Sequence, residues 1–286
     1  MLISEVIQGI KDYCKGTGWD GKPIDPVTTR DQVTYGDVNQ ECTGIVTCIW
    51  ATTDIIKKAK ELGANLIIPH EALFWNHGDH RNVLAGNKTF NAKLALLDEW
   101  GGAVWRCHDY IHSTVPLEPD GSYVDGIFYG LAVKLDWLDY RIPSQGMAGD
   151  FEIPEMSGAE LAAYLVKKLG LNGTRIIGDP ETRVRRVHIP GHVLGDPKAD
   201  TYEINYDDAN DVDCIMTMEF IDFTVSEYIR DAAMLGHNKC AITVGHFNAE
   251  EPGMEYMVNW VPTAIGTDEI PVTFVPMTDT YRYVVA

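Results

Sequence analysis

The sequence lacks the short motifs that mark many well-known catalytic and nucleotide-binding sites. It contains no GxGxxG string, no P-loop, no GxSxG motif and no HExxH motif. Its 26 glycines are spread through turns rather than gathered in a phosphate-binding loop. Dinucleotide-binding, P-loop and serine-hydrolase sites are therefore not indicated, and the chemistry of the chain has to come from other residues.

Basic residues are scarce. The chain of 286 residues has 23 Lys and Arg against 42 Asp and Glu, which gives a formal net charge of −19. Such a surface repels phosphate backbones and anionic lipid, so neither nucleic acid nor a membrane is expected as the main partner. The one basic cluster, Arg183, Arg185 and Arg186, is interpreted as a solvated strand edge with Arg183 and Arg185 on one face.

Long apolar runs are absent as well. The longest uncharged segments, Cys42 to Thr53 and Tyr256 to Thr267, are each twelve residues long, whereas a membrane-spanning helix needs about 20. The N-terminus places Glu5, Lys11 and Asp12 where a secretory signal would need a basic start followed by an apolar stretch. We therefore expect a cytoplasmic protein.

The cysteines form no recognisable framework. There are six, with no CxxC pair, and four of them lie in apolar, strand-like runs: Cys48, Cys107, Cys214 and Cys240. Cysteines in such settings are usually buried and reduced. We therefore expect reduced, buried thiols.

The hydrophobic pattern predicts an α/β protein. The length is typical of about two domains. After a predicted N-terminal helix, a β-branched strand (44–51) leads into an amphipathic helix that ends at Gly63, and a second strand follows at 65–69. A helix at 87–100 and a strand at 103–107 repeat the unit. Repeated strand, helix and strand imply parallel pairing with right-handed crossovers.

The second half repeats this alternation. Ser157 and Glu160 are spaced as a capping box at the start of a helix. The segment 141–158 is rich in Gly, Pro and Ser, so we predict a domain boundary near residue 145, giving domains 1–145 and 146–286. The sequence leaves open whether one domain is inserted in the other. The further elements predicted are strands at 183–190, 213–218 and 240–245, and a helix at 223–236.

Metal-competent side chains follow three of the predicted strands. Open α/β sheets place their sites outside the carboxyl ends of the strands. Imidazole nitrogens and carboxylate oxygens bind Zn, Mn, Fe, Co and Ni, and six such groups suffice for two ions. The candidate ligands at these strand ends are His70, Glu71, His108, His112, His246 and Glu250.

The candidate ligands also have simpler interpretations that need no metal. Glu250 would favour a helix dipole without any metal, with Pro252 in the first turn of that helix. The spacing of four between His108 and His112 is weak evidence by itself. Three further groups are interpreted as ordinary polar residues, namely the solvated loop rim His77, Asp79 and His80, the strand residue His188 and the loop residue His237.

Four strings resemble the NIF-three-like family, whose members are sometimes labelled GTP cyclohydrolase homologues. They are KAKELGANLIIPHEALFW, VWRCHDYIH, DCIMTMEF and VGHFNAEEPGM, and they agree with the family in order and spacing from about residue 45 to residue 260. The resemblance implies a two-domain, three-layer α/β fold with mixed or mostly parallel sheets. It further implies a homohexamer and a dinuclear metal centre at the domain interface.

Carried over residue by residue, the resemblance assigns His70, His108, His246 and Glu250 to the metal centre. Two positions depart from the family pattern, with Glu71 in place of a second histidine and His112 in place of an aspartate. With these two exchanged, the set of three imidazoles and two carboxylates is kept, and His108 is either a sixth ligand or a residue that orients one. We therefore predict that the two departing residues have exchanged roles within one site.

These residues lead to two functional hypotheses. The first is a hydrolase that uses two divalent transition-metal ions to activate water against a phosphate ester, a nucleotide or a cyclic amide. In this hypothesis Glu250 and Glu219 are the candidate catalytic residues. The alternative is a non-enzymatic assembly that buffers, delivers or senses a metal through the same ligands.

Overall fold

The computed structural model describes residues 1–18, 20–143 and 148–284. The chain divides into two compact units. Unit 1 consists of Met1–Gly130 and Gly253–Met277, and unit 2 consists of Leu131–Pro252 and the C-terminal segment from Thr278. The main segment of unit 2 is thus inserted between the two segments of unit 1. The boundary predicted near residue 145 falls outside the described residues and stays a prediction.

Unit 1 contains a five-stranded mixed sheet with the strand order β1-β4-β3-β2-β11. Neighbours from β4 to β11 pair in parallel, and β1 pairs with β4 in the antiparallel direction. The parallel pairing confirms the strand, helix and strand alternation predicted from the sequence. The strands are β1 (Val33–Tyr35), β2 (Ile45–Cys48), β3 (Leu66–Pro69), β4 (Ala103–Trp105) and β11 (Val272–Phe274).

The helices of unit 1 have the ends that the sequence predicts. The helix after β2 starts with the Thr52 hydroxyl accepting from the Ile55 N–H (3.3 Å) and ends at Gly63 in the left-handed conformation. The segments in or entering unit 1 are α1 (Ile3–Tyr13), α2 (Thr53–Leu62), a 3₁₀ turn (Arg81–Leu84), α3 (Lys88–Trp100), α4 (Asp109–His112), α5 (Gly126–Lys134) and α9 (His246–Ile265).

Helices α2 and α3 bury their apolar faces against the sheet of unit 1. Val46, Ile67 and Val104 come from three neighbouring strands, and all three are fully buried. Ile56 of α2 and Leu97 of α3 are fully buried in the same cluster. Burial of an aliphatic side chain contributes roughly 1.5–3 kcal/mol. This core holds β3 and β4 in place, and the candidate ligands follow directly on those strands.

Unit 2 contains a six-stranded mixed sheet with the order β5-β6-β8-β9-β10-β7. Strands β8, β9 and β10 are parallel neighbours, and the remaining pairs are antiparallel. The strands are β5 (Arg141–Ile142), β6 (Gly149–Ser157), β7 (Arg175–Gly178), β8 (Arg183–Ile189), β9 (Cys214–Thr217) and β10 (Cys240–Thr243).

Three helices are wholly within unit 2. They are α6 (Gly158–Leu169), α7 (Pro197–Ala209) and α8 (Val225–Met234), and a 3₁₀ turn covers Leu138–Tyr140. The predicted capping box is confirmed, because the Glu160 N–H donates to the Ser157 hydroxyl (3.1 Å) and Glu160 accepts from the Ser157 N–H (2.7 Å). Helix α7 was not predicted from the sequence.

The interpretation of the arginine cluster as a strand edge is wrong. Strand β8 is an interior strand between β6 and β9. Arg183 and Arg185 are exposed on one face, as the alternation predicts, but each forms an ion pair with a glutamate of β6: Arg183 with Glu155 (2.7 Å) and Arg185 with Glu152. Cross-strand charge pairs therefore account for the cluster.

Helix α9 begins earlier than expected. It starts at His246, so Pro252 lies in its second turn rather than its first. Gly245, with φ +95, makes the sharp exit from β10 that brings the helix start forward. As a result, His246 and Glu250 are one helical turn apart on one face. The described ranges contain no helix that is long and apolar enough to cross a bilayer.

All six cysteines are buried and free. They occupy apolar surroundings in strands, loops and one helix end, and burial raises the pKa of the Cys107 thiol well above its usual value. Such thiols are inert packing residues. The predicted burial of the cysteines is confirmed.

Candidate metal-binding clusters

Three histidines of unit 1 meet at the carboxyl ends of two neighbouring parallel strands. His70 follows β3 directly, and His108 and His112 follow β4. One ring nitrogen from each of the three lies within 4.8 Å of the others. The rings of His70 and His108 stack at a centroid distance of 4.5 Å, and His112 lies edge-on to both. We call this group the histidine triad.

Hydrogen bonding sets the protonation of His70. Its Nδ1 lies 3.0 Å from the carbonyl oxygen of Cys107. Because a carbonyl can only accept, Nδ1 carries the proton, which leaves the Nε2 lone pair of a neutral ring for a ligand. The pKa of His70 is held well below its usual value by burial and by the neighbouring rings of His108 and His112. His70 is therefore neutral, the form that binds a metal.

The other two members of the triad follow the same rule. His108 Nδ1 lies 2.9 Å from an Asp109 oxygen, and His112 Nδ1 lies 2.8 Å from an Asp125 oxygen. A carboxylate that accepts from one ring nitrogen fixes the orientation of the ring and makes the other nitrogen a better ligand. This arrangement around all three rings is typical of metal-binding histidines.

Asp31 fixes the chain at the start of α4. This buried aspartate accepts hydrogen bonds from the backbone N–H groups of His108, Asp109 (2.9 Å) and Tyr110 (2.6 Å). It satisfies the free donors at the helix start and so positions His108. Sequence reasoning missed it, because Asp31 lies far from His108 along the chain and in a loop without pattern.

Glu71 pairs with a buried arginine. The side chain of Arg106 is 1% exposed, and its Nη2 lies 3.0 Å from Glu71 Oε2. Arg106 also donates to the carbonyl oxygens of His70 (2.9 Å) and His77 (2.8 Å). Much of the Glu71 charge is therefore balanced by Arg106. The roles of Glu71 as a metal ligand and as the exchange partner of His112 stay predictions.

The loop rim is only partly solvated. His77 and His80 are exposed, as expected, but the Asp79 side chain is only 14% exposed and accepts from the Phe74 N–H (3.1 Å). His77 Nδ1 lies 3.3 Å from Arg106 Nη2. Burial and the Arg106 charge lower the pKa of His77. Because the arginine donates to Nδ1, the neutral ring of His77 carries its proton on Nε2.

Unit 2 has a cluster of its own at the carboxyl ends of β8, β9 and β10. His192, Glu219 and His246 each follow one of these strands and offer ligand atoms within 4.8 Å of one another. Glu250 follows one turn along α9, with Oε2 3.0 Å from His246 Nε2. We call these four residues the His/Glu cluster.

The His/Glu cluster is strongly ion-paired. Glu219 accepts from Nδ1 of both His192 (3.1 Å) and His246. Burial favours the neutral acid, yet these two hydrogen bonds outweigh it and lower the pKa of Glu219 to about 2. Burial also disfavours the His246 imidazolium, but hydrogen bonds to Glu219 and Glu250 raise the pKa of His246 to about 10. His246 therefore carries its additional proton between the carboxylates of Glu219 and Glu250.

Sequence reasoning also missed His192. It lies in the turn PGHVLGD after β8. The other candidates were selected because they are metal-competent side chains that follow predicted strands, and the same criterion would have selected His192 as well. His188, predicted to be an ordinary strand residue, has carboxylates at both ring nitrogens, Asp150 at Nδ1 and Glu203 at Nε2 (3.0 Å).

The donor sets fit a divalent transition metal. Unit 1 offers three imidazoles, and unit 2 offers two imidazoles and two carboxylates. Such nitrogen and oxygen donors suit Zn, Mn, Fe, Co and Ni, whereas Ca and Mg prefer oxygen alone. Of the predicted ligands, His70, His108 and His112 come together in unit 1, and His246 and Glu250 come together in unit 2. The placement of one centre at the domain interface stays a prediction.

Comparison with known proteins supports the resemblance seen in the sequence. Residues 31–96 match the model of the Duf34/NIF3 (NGG1p interacting factor 3) family, and this segment includes Asp31, His70 and Glu71. A curated protein of Clostridium perfringens (strain 13 / Type A), the "GTP cyclohydrolase 1 type 2 homolog", is 22% identical over 258 residues, or 88% of each chain.

Solved structures share the fold. Staphylococcus aureus hypothetical protein SA1388 has a TM-score of 0.69 at 16% identity, covering 99% of each chain. A Bacillus cereus protein related to NIF3 has a TM-score of 0.66 at 15% identity, covering 100% of this chain and 99% of its own. The predicted α/β fold is confirmed, and the family model that matches residues 31–96 is that of the family which the sequence resembles.

Proposed function

We propose that the protein binds two divalent transition-metal ions and uses them to hydrolyse a phosphate ester, a nucleotide or a cyclic amide. The observation that carries the proposal is the histidine triad, in which each Nδ1 is held by an oxygen acceptor and the ligand atoms lie within 4.8 Å of one another. Three preorganised imidazoles with a fixed orientation are typical of a transition-metal site.

The two clusters supply the ligands. His70, His108 and His112 would hold one ion in unit 1, and His192, Glu219, His246 and Glu250 offer the ligands for the other in unit 2. A divalent ion supplies Lewis acidity, which activates water at neutral pH and polarises a phosphoryl or carbonyl oxygen.

The residues around the ligands have distinct tasks. Asp109 and Asp125 orient the rings of His108 and His112. Burial of His70 keeps water away from one side of the triad. These contacts exist before any ligand arrives, so little reorganisation is needed when the site is used.

Two carboxylates have different tasks in the proposed hydrolysis. Glu219 stays ionised because its pKa is held at about 2 by two histidines, so its first task is to orient them. Glu250 is 3.0 Å from His246, and its side chain is 4% exposed. A carboxylate at that position can accept a proton from water and return it to the leaving group.

Turnover tests this proposal. Metal-reconstituted protein is assayed against phosphomonoesters, phosphodiesters, nucleotides and cyclic amides. We expect one class to be hydrolysed only with metal present, and Glu250→Gln to lower kcat at least about 100-fold. Glu227→Gln, an exposed glutamate of α8, is the matched control and should retain full activity.

A second outcome would support metal handling instead. Tight, exchangeable metal binding without turnover on any of the substrates would contradict the hydrolase and favour buffering, delivery or sensing of a metal. Turnover that persists after metal removal would contradict both.

A further inference from the structure

A cavity of about 380 Å³ in unit 1 is lined by three arginines, Arg30, Arg81 and Arg106. Among the residues that the structure describes, Asp79 is the only carboxylate in its lining. This local excess of positive charge stands out in a chain with a formal net charge of −19. A cavity of this size is large enough for a small ligand group.

The cavity adjoins the histidine triad. His77 lines it, and the His77 ring lies edge-on to that of His108 with centroids 5.5 Å apart. Thr29 also lines it and donates to Asp109 (2.8 Å), whose other oxygen accepts from His108. A ligand in the cavity would therefore lie next to His108.

Two of the three guanidinium groups are available for a ligand. Arg106 is engaged by Glu71 and by two backbone carbonyls. Arg30 and Arg81 are exposed, and no carboxylate of the described residues forms an ion pair with either side chain. His77 adds a further donor, since its Nε2 carries the proton.

A larger cavity nearby makes a useful contrast. It measures about 610 Å³, and His112 is among its lining residues. Its charged lining consists of Lys15 and Lys22 against Asp20, Asp25 and Asp109. Because carboxylates outnumber amines there, an anionic group is favoured in the arginine-lined cavity rather than in this one.

We infer that the arginine-lined cavity binds the phosphate group of the substrate. A guanidinium group matches the geometry of phosphate oxygens with two parallel hydrogen bonds, and the charge assistance makes these bonds strong. The inference rests on the proposed function and narrows it, because it selects phosphate esters and nucleotides over uncharged cyclic amides as the substrate class.

Calorimetry with inorganic phosphate tests the inference. The double variant Arg30→Gln/Arg81→Gln removes two exposed guanidinium groups without disturbing Arg106, so it is expected to fold. We expect it to bind phosphate at least about tenfold more weakly than the wild type. The loss should appear in both metal-loaded and metal-free full-length protein. Acetate should bind far more weakly than phosphate to the wild type.

The matched control is Arg183→Gln/Arg185→Gln, which removes the same charge from exposed positions on β8. Equal phosphate affinity in the wild type and the cavity variant would overturn the inference, as would an equal loss in the control. Acetate binding as tightly as phosphate would also overturn it. Metal content is measured on the same samples. If no metal binds but the variant still loses phosphate, the proposed function fails and the phosphate site stands.

Discussion

At the scale of single residues, the partners of the ring nitrogens decide which charge each histidine carries. In the histidine triad, each Nδ1 faces one oxygen acceptor. In His188 and in His246 both nitrogens face carboxylates, which favours the imidazolium, so His246 has to release a proton before it binds a metal. A count of histidines along the sequence cannot make this distinction, because the acceptors are set by tertiary structure.

Asp125→Asn tests whether the acceptor matters. The asparagine can still cap α5, where Asp125 Oδ1 accepts from the N–H groups of Ile127 (2.9 Å) and Phe128 (3.1 Å), but it loses the charge that supports His112. We expect metal affinity to fall about 10- to 100-fold, with little change in stability. Competition titration with a chelating dye measures it, and Asp120→Asn, in an exposed loop, is the control. Unchanged affinity in Asp125→Asn would remove the positioning role.

The exchange predicted between Glu71 and His112 is tested by a double-mutant cycle. Glu71→His and His112→Asp should each weaken metal binding, and the double variant should recover much of the loss if the two positions share one site. The Glu71→His variant also leaves Arg106 without its carboxylate, so its stability has to be measured in parallel. Strictly additive losses of affinity would show that the two positions are independent.

His188 predicts a pH dependence of stability. Burial opposes its charge, but hydrogen bonds to Asp150 and Glu203 raise its pKa from 6.5 to about 9. Because the folded pKa is the higher one, the stabilisation is complete below about pH 6.5 and is lost as the pH rises through about 9.

The pH effect is measured by urea unfolding across that range. The wild type should lose on the order of 2 kcal/mol more than His188→Gln between about pH 6 and about pH 10. Parallel curves for the two proteins would show that His188 is neutral in the folded state.

At the scale of elements, the hydrophobic pattern predicted the strands that position the site. Apolar runs bounded by helix caps predicted β2, α2, β3 and β4. The candidate ligands of unit 1 are residues that follow β3 and β4. Helix α7 was not predicted because it has no apolar stripe and instead buries Asp200 and Asp207. Asp31 was not predicted because its hydrogen-bond partners lie on another element, whereas His192 follows a predicted strand and could have been found by the criterion used for the other candidates. Local periodicity predicts elements, whereas hydrogen bonds between elements require the fold.

Gly245 is the element-level constraint on the His/Glu cluster. It has φ +95, and a Cβ there would lie 2.9 Å from Asn248 Nδ2. Gly245→Ala should therefore destabilise the protein by more than the roughly 1 kcal/mol typical of alanine at positive φ, and it should weaken metal binding by displacing His246. Gly266→Ala is the control, since its φ is +71 but its Cβ would meet nothing. Equal losses in the two variants, measured by urea unfolding, would exclude a steric role for Gly245.

At the scale of the whole molecule, each of the two units has parallel strands, and a histidine-rich cluster lies at the carboxyl ends of the strands within each unit. The resemblance to the NIF-three-like family predicted this α/β fold, and the fold is confirmed. The homohexamer, the cytoplasmic location and the joint dinuclear centre remain proposals. In an acidic chain of charge −19, the arginine-lined cavity is a local region of positive charge.

Metal content per chain tests the central claim most directly. Protein purified without nickel affinity or chelator and reconstituted with Zn or Mn is analysed by elemental mass spectrometry. We predict about two ions per chain in the wild type, and the loss of one ion in each of the variants His112→Ala and His246→Ala. Stoichiometry near zero in the reconstituted wild type, with the protein folded, would contradict the account.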